Sequence, residues 1–287
     1  MAQDNKKLVI RTSVAYAIGD IHGMFDTLLY HIRRCDMKDC AIVACGDIGL
    51  GFATEKGSQD ELKRVNKKLK ECSITLLLFR GNHDDPAYFN RPVSFVNLSN
   101  VIILPDYALV TFVNCDDERE TLNVLCVGGG ISVDRISRKR RMTVAAKQYQ
   151  IYTGCTYETA VAKIRHEYWE NENIIFDENQ LSRLPDSKEV PIQCVCTHTC
   201  PSFTYPLTKD GIASFLALDK NLSTDLDTER GNVDKLYHWL KEHNHPVENW
   251  CYGHFHIHNT EEVEGTVFHL IDMVRPEGID FYRLFGY

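Results

Sequence analysis

Five short apolar runs in this chain each end in a residue type that binds metals, and no other feature narrows the fold so sharply. Val14 to Ile18 precede Gly19-Asp20-Ile21-His22-Gly23, and Ala41 to Cys45 precede Gly46-Asp47. Ile74 to Phe79 precede Arg80-Gly81-Asn82-His83-Asp84, Ile192 to Thr197 precede His198, and Trp250 to Tyr252 precede Gly253-His254-Phe255-His256. A short, fully apolar run bounded by glycine reads as a buried strand. Open α/β sheets build their sites at the carboxyl ends of such strands. Aspartate, histidine and one asparagine gathered at five strand ends can hold two divalent cations side by side.

The order of elements supports an α/β fold. Phe25, Leu28, Leu29 and Ile32 have helical spacing over 24–34, and Leu62, Val65 and Leu69 share one face of a helix over 58–71. Strand and helix alternate through the first hundred residues, which implies parallel strands joined by right-handed crossovers. Asp84-Asp85-Pro86 reads as a helix start. Strands are predicted over 101–104, 108–113 and 122–127, the last two forming a hairpin around the acidic turn 114–120. Gly128-Gly129-Gly130 frees the backbone for a tight passage. The stretch from 131 to about 190 is the least regular, with a basic cluster (Arg135, Arg138, Lys139, Arg140, Arg141) and a helix predicted around 156–170. Strands resume at 192 and 250, separated by a helix over about 229–241, and 267–271 and 281–284 close the chain. No repeat, low-complexity segment or Gly/Ser linker interrupts the 287 residues. The expectation is one domain over 1–287 with a less regular insertion at about 131–190. Two mixed β-sheets pack together in it, flanked by helices as an α/β/β/α sandwich.

Composition excludes several classes. At 44% hydrophobic and 25% charged residues the chain is ordinary globular protein, and no stretch approaches the roughly 20 apolar residues of a membrane span. The N-terminal apolar stretch is interrupted by Arg11 and runs straight into the Asp20 motif. It therefore reads as mature structure rather than a signal peptide, and a cytoplasmic location is expected. The cysteine count, 11, is odd, and Cys45, Cys126, Cys194, Cys196 and Cys251 sit inside apolar runs, as buried free thiols do in a reducing compartment. Cys196-Thr197-His198-Thr199-Cys200 lacks the paired Cys-x-x-Cys that would close a zinc knuckle. A net charge of −8 argues against a nucleic-acid partner. It leaves room for a phosphorylated one, because a pair of metal ions brings its own positive charge.

The series Asp-x-His-Gly, Gly-Asp, Gly-Asn-His-Asp, His, Gly-His-x-His resembles the calcineurin-like metallophosphoesterase superfamily over Asp20 to His256. Each piece is common by itself; five in this order are specific. The resemblance implies a metal-dependent hydrolase of phosphoester bonds, with one divalent ion on Asp20, His22, Asp47 and His256 and a second on Asp47, Asn82, His198 and His254. A water or hydroxide between the ions is the implied nucleophile. Mixed oxygen and imidazole donors favour manganese, iron or zinc over calcium, and manganese is the metal expected. By the same resemblance His83 protonates or otherwise stabilises the leaving oxygen, and Asp84 orients His83. Read from the residues alone, a helix cap is the alternative for Asp84, and one side chain can do both jobs.

Two departures bear on the substrate. Phosphoprotein phosphatases follow Gly-Asp with a segment containing Asp-Arg-Gly, whereas this chain continues Gly46-Asp47-Ile48-Gly49-Leu50-Gly51-Phe52. Gly128 to Arg135 resembles a Gly-Gly…Ser-x-Asp segment of bacterial metallophosphoesterases, which makes Arg135 or Arg138 a candidate phosphate ligand; the alternative is a solvated basic loop. The leading expectation is a phosphomonoester or small phosphodiester as substrate, a small molecule or a phosphoprotein. A protein serine/threonine phosphatase, a nuclease and a non-catalytic scaffold are the other readings.

Overall fold

In the computed structural model, residues 8–89 and 98–286 are described. Residues 1–7, part of the N-terminal stretch read above as mature structure, lie outside them. Strands β1 (Leu8–Arg11) and β2 (Val14–Ile18) lead to helix α1 (Phe25–Arg34), β3 (Cys40–Ala44), α2 (Glu55–Glu71) and β4 (Thr75–Leu78). Then follow β5 (Val101–Ile103), β6 (Ala108–Val113), β7 (Thr121–Val127), α3 (Arg135–Thr153), α4 (Tyr157–Val161), α5 (Glu178–Leu181) and β8 (Cys194–Thr197). The last elements are α6 (Ala213–Leu218), α7 (Leu222–Glu242), β9 (Asn249–Tyr252), β10 (Asn259–Val263), β11 (Thr266–Leu270) and β12 (Tyr282–Phe285).

The strands form two mixed sheets, in the orders β1-β6-β7-β8-β9-β11-β10 and β12-β2-β3-β4-β5. Within them β2, β3 and β4 run parallel, as do β8 and β9. The five apolar runs thus deliver their ligand-type residues to the same end of the two sheets. Alternation along the strands assigns the faces. Ala15, Ala17, Ala41 and Val43 of one sheet meet Cys126, Cys194, Cys196 and Cys251 of the other in the core between the sheets. Their neighbours Ile18, Ile42, Leu76 and Leu78 face α1 and α2 through Leu28, Ile32, Leu62, Val65 and Leu69. On the opposite side Val195, Trp250 and Phe268 face α7 through Val233, Leu236, Tyr237 and Leu240. This is the α/β/β/α sandwich. All 11 cysteines are free, and five of them act as compact apolar filler between the sheets.

The middle of the chain departs from the sequence reading. The basic cluster lies on α3, a 19-residue helix, and not on an open loop. The helix expected around 156–170 is only the five residues of α4; beyond it the chain turns back towards the strand ends. Helix α7 starts at Leu222, ahead of the expected 229, because Leu222 and Leu226 pack with Ile131 beneath a polar-looking first turn. After β4 the helix start resolves to one 3-10 turn, Pro86–Tyr88, capped by Asp85 through Ala87 N–H at 2.9 Å.

Candidate metal centre

Each ligand-type residue sits in the loop that leaves a strand. Asp20 and His22 follow β2, Asp47 follows β3, Asn82 and His83 follow β4, His198 follows β8, and His254 and His256 follow β9. Four ligand-type residues in these loops themselves adopt left-handed backbone: His22, Asp47, His254 and His256 have φ of 49°, 46°, 71° and 54°. Such conformations cost on the order of 1–3 kcal/mol each and persist where the surroundings over-determine them. Glycine permits the closest approaches. A Cβ at Gly81 would lie 2.1 Å from Asp47 Oδ1, and one at Gly253 would lie 2.1 Å from Asp20 Oδ1.

Two groups of donors result, sharing one carboxylate. Asp20, His22, Asp47 and His256 present atoms within 4.8 Å of one another, and so do Asp47, His198 and His254. In the first group His256 Nε2 is 3.0 Å and His22 Nε2 3.5 Å from Asp20 Oδ2, and the two imidazole nitrogens are 3.0 Å apart. In the second, His198 Nε2 lies 3.1 Å from Asp47 Oδ1, 2.9 Å from Asn82 Oδ1 and 3.1 Å from His254 Nδ1. Asp47 faces the second group with Oδ1 and the first with Oδ2, which is 3.7 Å from His22 Nε2.

The residues fit a pair of cations. Asp20 Oδ2 is fully buried and no well-aligned hydrogen bond reaches it; its near neighbours are the imidazole nitrogens of His256 and His22, an arrangement that suits a carboxylate and two imidazoles turned towards a shared cation. Backbone N–H groups hold the other carboxylate oxygens in place, His254 donating to Asp20 Oδ1 at 2.9 Å and His83 to Asp47 Oδ1 at 2.7 Å. His198 donates through Nδ1 to Cys45 O at 2.8 Å, which turns Nε2 into the centre. Asn82 Nδ2 donates to Ser132 Oγ at 2.9 Å, and Ser132 Oγ donates to Glu172 Oε2 at 2.7 Å, so the Asn82 carbonyl oxygen points inward. Sequence reasoning does not find Ser132 and Glu172 as supports. Ser132 lies inside the Gly128 to Arg135 segment, where the arginine is the more conspicuous candidate, and Glu172 has no sequence signal.

Electrostatics in the metal-free protein follow from the same contacts. Burial disfavours charge on His198, but Asp47 and Asp20 outweigh it and push its pKa up to about 10. Burial pushes His254 down to about 3, helped by the charge on His198. Burial would raise Asp47, yet His198, His83 and His22 hold its carboxyl far below the usual range.

His83 and its neighbours differ from expectation. The His83 Nε2 atom accepts a hydrogen bond from Arg138 Nη2 at 2.7 Å, not from a carboxylic acid. Burial, with Arg138 adding to it against the pull of Asp47, brings His83 down to about 4. Asp84 makes no hydrogen bond to the His83 ring. Its carboxylate accepts four backbone N–H groups, Gly49 and Leu50 on Oδ1 at 2.8 and 2.9 Å and Ile48 and Gly81 on Oδ2 at 3.0 and 2.8 Å. It therefore ties the Asp47 loop to the Gly81 loop, and neither the orienting role nor the helix-cap role describes its contacts. An Asp84→Asn variant turns an NH2 group towards two of these donors. Urea unfolding should show a loss of about 2–3 kcal/mol. Unchanged stability with a displaced pH–rate profile would instead restore a role on His83.

The two arginines separate. Arg138 is at the centre, fixed by Asp134 at 2.5 Å and by Glu167 O at 2.9 Å. Arg135 is engaged elsewhere: its Nε and Nη2 are bound by Asp219 at 2.6 Å and Asp225 at 2.5 Å, whereas Arg138 Nη2 is on His83. Arg80, buried in the same loop as Asn82, is likewise held by Asp106, Glu172 O and Asn173 O.

Comparison with known proteins identifies the family. The profile of the family described as calcineurin-like phosphoesterase matches residues 15–281. Among solved structures, a dimetal phosphatase from Danio rerio aligns over 96% of this chain and 92% of its own, at 16% identity and a TM-score of 0.50. The protein TT1561 of Thermus thermophilus aligns over 94% and 98%, at 10% identity and a TM-score of 0.45. No curated protein matches in sequence. Among the described residues no helix is long and apolar enough to cross a membrane. With the sandwich fold, two donor groups that share Asp47 and a profile spanning nearly the whole chain, this protein belongs to the calcineurin-like phosphoesterase family and is a dinuclear-metal-dependent hydrolase of phosphoester bonds.

Proposed function

We propose that the protein is a single phosphoesterase domain that hydrolyses a phosphomonoester or small phosphodiester. Asp20, His22, Asp47 and His256 hold one ion, and Asp47, Asn82, His198 and His254 hold the other. The observation that carries this reading is the shared Asp47, whose two oxygens face two separate donor groups. When bound, the ion pair supplies positive charge for phosphate oxygens and lowers the pKa of a water between them. The mixed carboxylate, amide and imidazole donors support manganese, with iron and zinc as metals the same set accepts. Arg138 lies beside the centre with Nη2 on His83, so it supplies the fixed cation for a phosphate or leaving oxygen arriving there. His83, neutral in this setting, positions that contact and completes the leaving-group side. Eleven unpaired cysteines support a reducing, cytoplasmic location.

The test is reconstitution. Metal-depleted protein is assayed on p-nitrophenyl phosphate and bis-p-nitrophenyl phosphate after addition of manganese, iron or zinc. Turnover that a chelator abolishes and manganese restores is expected. No turnover on either ester with any of the three metals would remove the proposal.

A further inference from the structure

We propose that the leaving-group side of this centre carries a shelf for a planar ring, and that the substrate is a phosphoester of a nucleoside. The inference rests on the phosphoesterase reading above and names its substrate class. Phe52, five residues beyond Asp47, is half-buried and stands 5.9 Å from the His83 ring, inclined at 35°. Trp169, also half-buried, meets Phe52 edge-on at 5.4 Å and 82°. Its Cζ2 lies 3.0 Å from where a Cβ on Gly51 would stand, so it rests on the Gly51 backbone. The guanidinium of Arg165 lies over the Phe52 ring, 5.1 Å from its centre. Arg138 Nη1 bonds Glu167 O at 2.9 Å and Arg141 Nε bonds Glu167 Oε2 at 2.7 Å, pinning this segment beside the centre.

Neither aromatic ring belongs to a buried core cluster. Two partly open aromatic rings beside a polar centre suit a ligand with an apolar face. The shelf begins 5.9 Å from His83 and continues a further 5.4 Å to Trp169. Ring spacings of 5.9 and 5.4 Å exceed the single bond that joins an aryl ring to its ester oxygen, and suit a ring carried on a sugar, as a nucleobase is. The cations Arg138, Arg141 and Arg165 are local to the shelf, and the chain as a whole carries −8. That balance suits one nucleotide and not a polymer, which would need an extended basic track.

The experiment compares adenosine 5′-monophosphate with ribose 5-phosphate on the manganese-reconstituted protein. The two share the same primary-alcohol leaving group and differ by the base. The wild type should favour the nucleotide in kcat/KM by about tenfold or more, in line with base–aromatic stacking. In Phe52→Ala and in Trp169→Ala this ratio should fall towards one, and Phe52→Trp should retain it, which a merely structural role for Phe52 does not require. Equal efficiency on the two substrates in the wild type, or a ratio unmoved by Phe52→Ala, overturns the shelf and leaves the phosphoesterase reading standing. Turnover of an aryl ester with none on either sugar phosphate overturns the shelf alone, and failure on these two, p-nitrophenyl phosphate and bis-p-nitrophenyl phosphate with manganese, iron and zinc overturns both.

Discussion

An Asp47→Asn variant is expected to lose metal and turnover together. Asp47 is common to the two donor groups, so one substitution reaches both ions. Asparagine keeps the shape of the side chain, and its carbonyl oxygen can still accept the His83 N–H that Asp47 Oδ1 accepts at 2.7 Å. What it removes is the negative charge and the second oxygen able to bridge. In the metal-free protein that charge is also what keeps His198 protonated against its burial, with a pKa of about 10. Wild-type protein at pH 7 must therefore release a proton from His198 as metal enters, and affinity weakens as the pH falls. Asparagine relieves that proton competition but leaves His198 facing a neutral partner, so the lost anion decides the outcome. Elemental analysis should show metal falling from about two ions per chain to well below one. The kcat/KM on an aryl phosphate should fall by at least about a thousandfold. Urea midpoints of the metal-free proteins provide the folding control. A variant that keeps both ions and full turnover would mean that Asp47 is a turn residue and that the shared-carboxylate centre does not exist.

How much of this centre is legible in the sequence depends on how far each contact reaches along the chain. The ligand-type residues are legible because each is anchored to a strand end. A buried parallel strand announces itself by an unbroken apolar run, and the residue that follows it is fixed in space by the sheet. Asp20, Asp47, Asn82, His198 and His254 are all found that way. Residues whose place depends on tertiary contact are not legible. Arg135 and Arg138 are one helical turn apart on α3, yet Arg138 reaches His83 and Arg135 is bound by Asp219 and Asp225, some eighty to ninety residues distant. Nothing local distinguishes them. Asp84 follows the same logic: two residues before a proline it reads as a cap, but its carboxylate closes on Ile48, Gly49 and Leu50 from the neighbouring strand's loop. Helix α3 escapes because its first turns are basic on most sides, so no apolar face marks the period. Glu172 supports Asn82 through Ser132 across a gap of forty residues, a distance over which no pattern in the sequence carries information.

A His83→Ala variant is expected to keep its metal and lose most of its turnover, by about 10²- to 10⁴-fold on substrates with alkyl leaving groups. The imidazole is absent from both donor groups, and its Nε2 stands 4.0 Å from Asp47 Oδ2, at the edge of the centre. Removing the ring therefore leaves the donors in place. It also leaves Arg138 without the partner that accepts its Nη2–H at 2.7 Å. The size of the loss should depend on the leaving group. A p-nitrophenolate departs without help, whereas an alkoxide needs a proton or a strong hydrogen bond, so the deficit should be markedly smaller on p-nitrophenyl phosphate than on ribose 5-phosphate. An Arg138→Lys variant, which keeps a charge but not the forked donor, should lose turnover on both substrates more evenly if its part is to hold phosphate. Equal losses for the two leaving groups in His83→Ala would place His83 on the attacking side or in binding. Unchanged turnover, with metal retained, would show that it contributes nothing to the reaction.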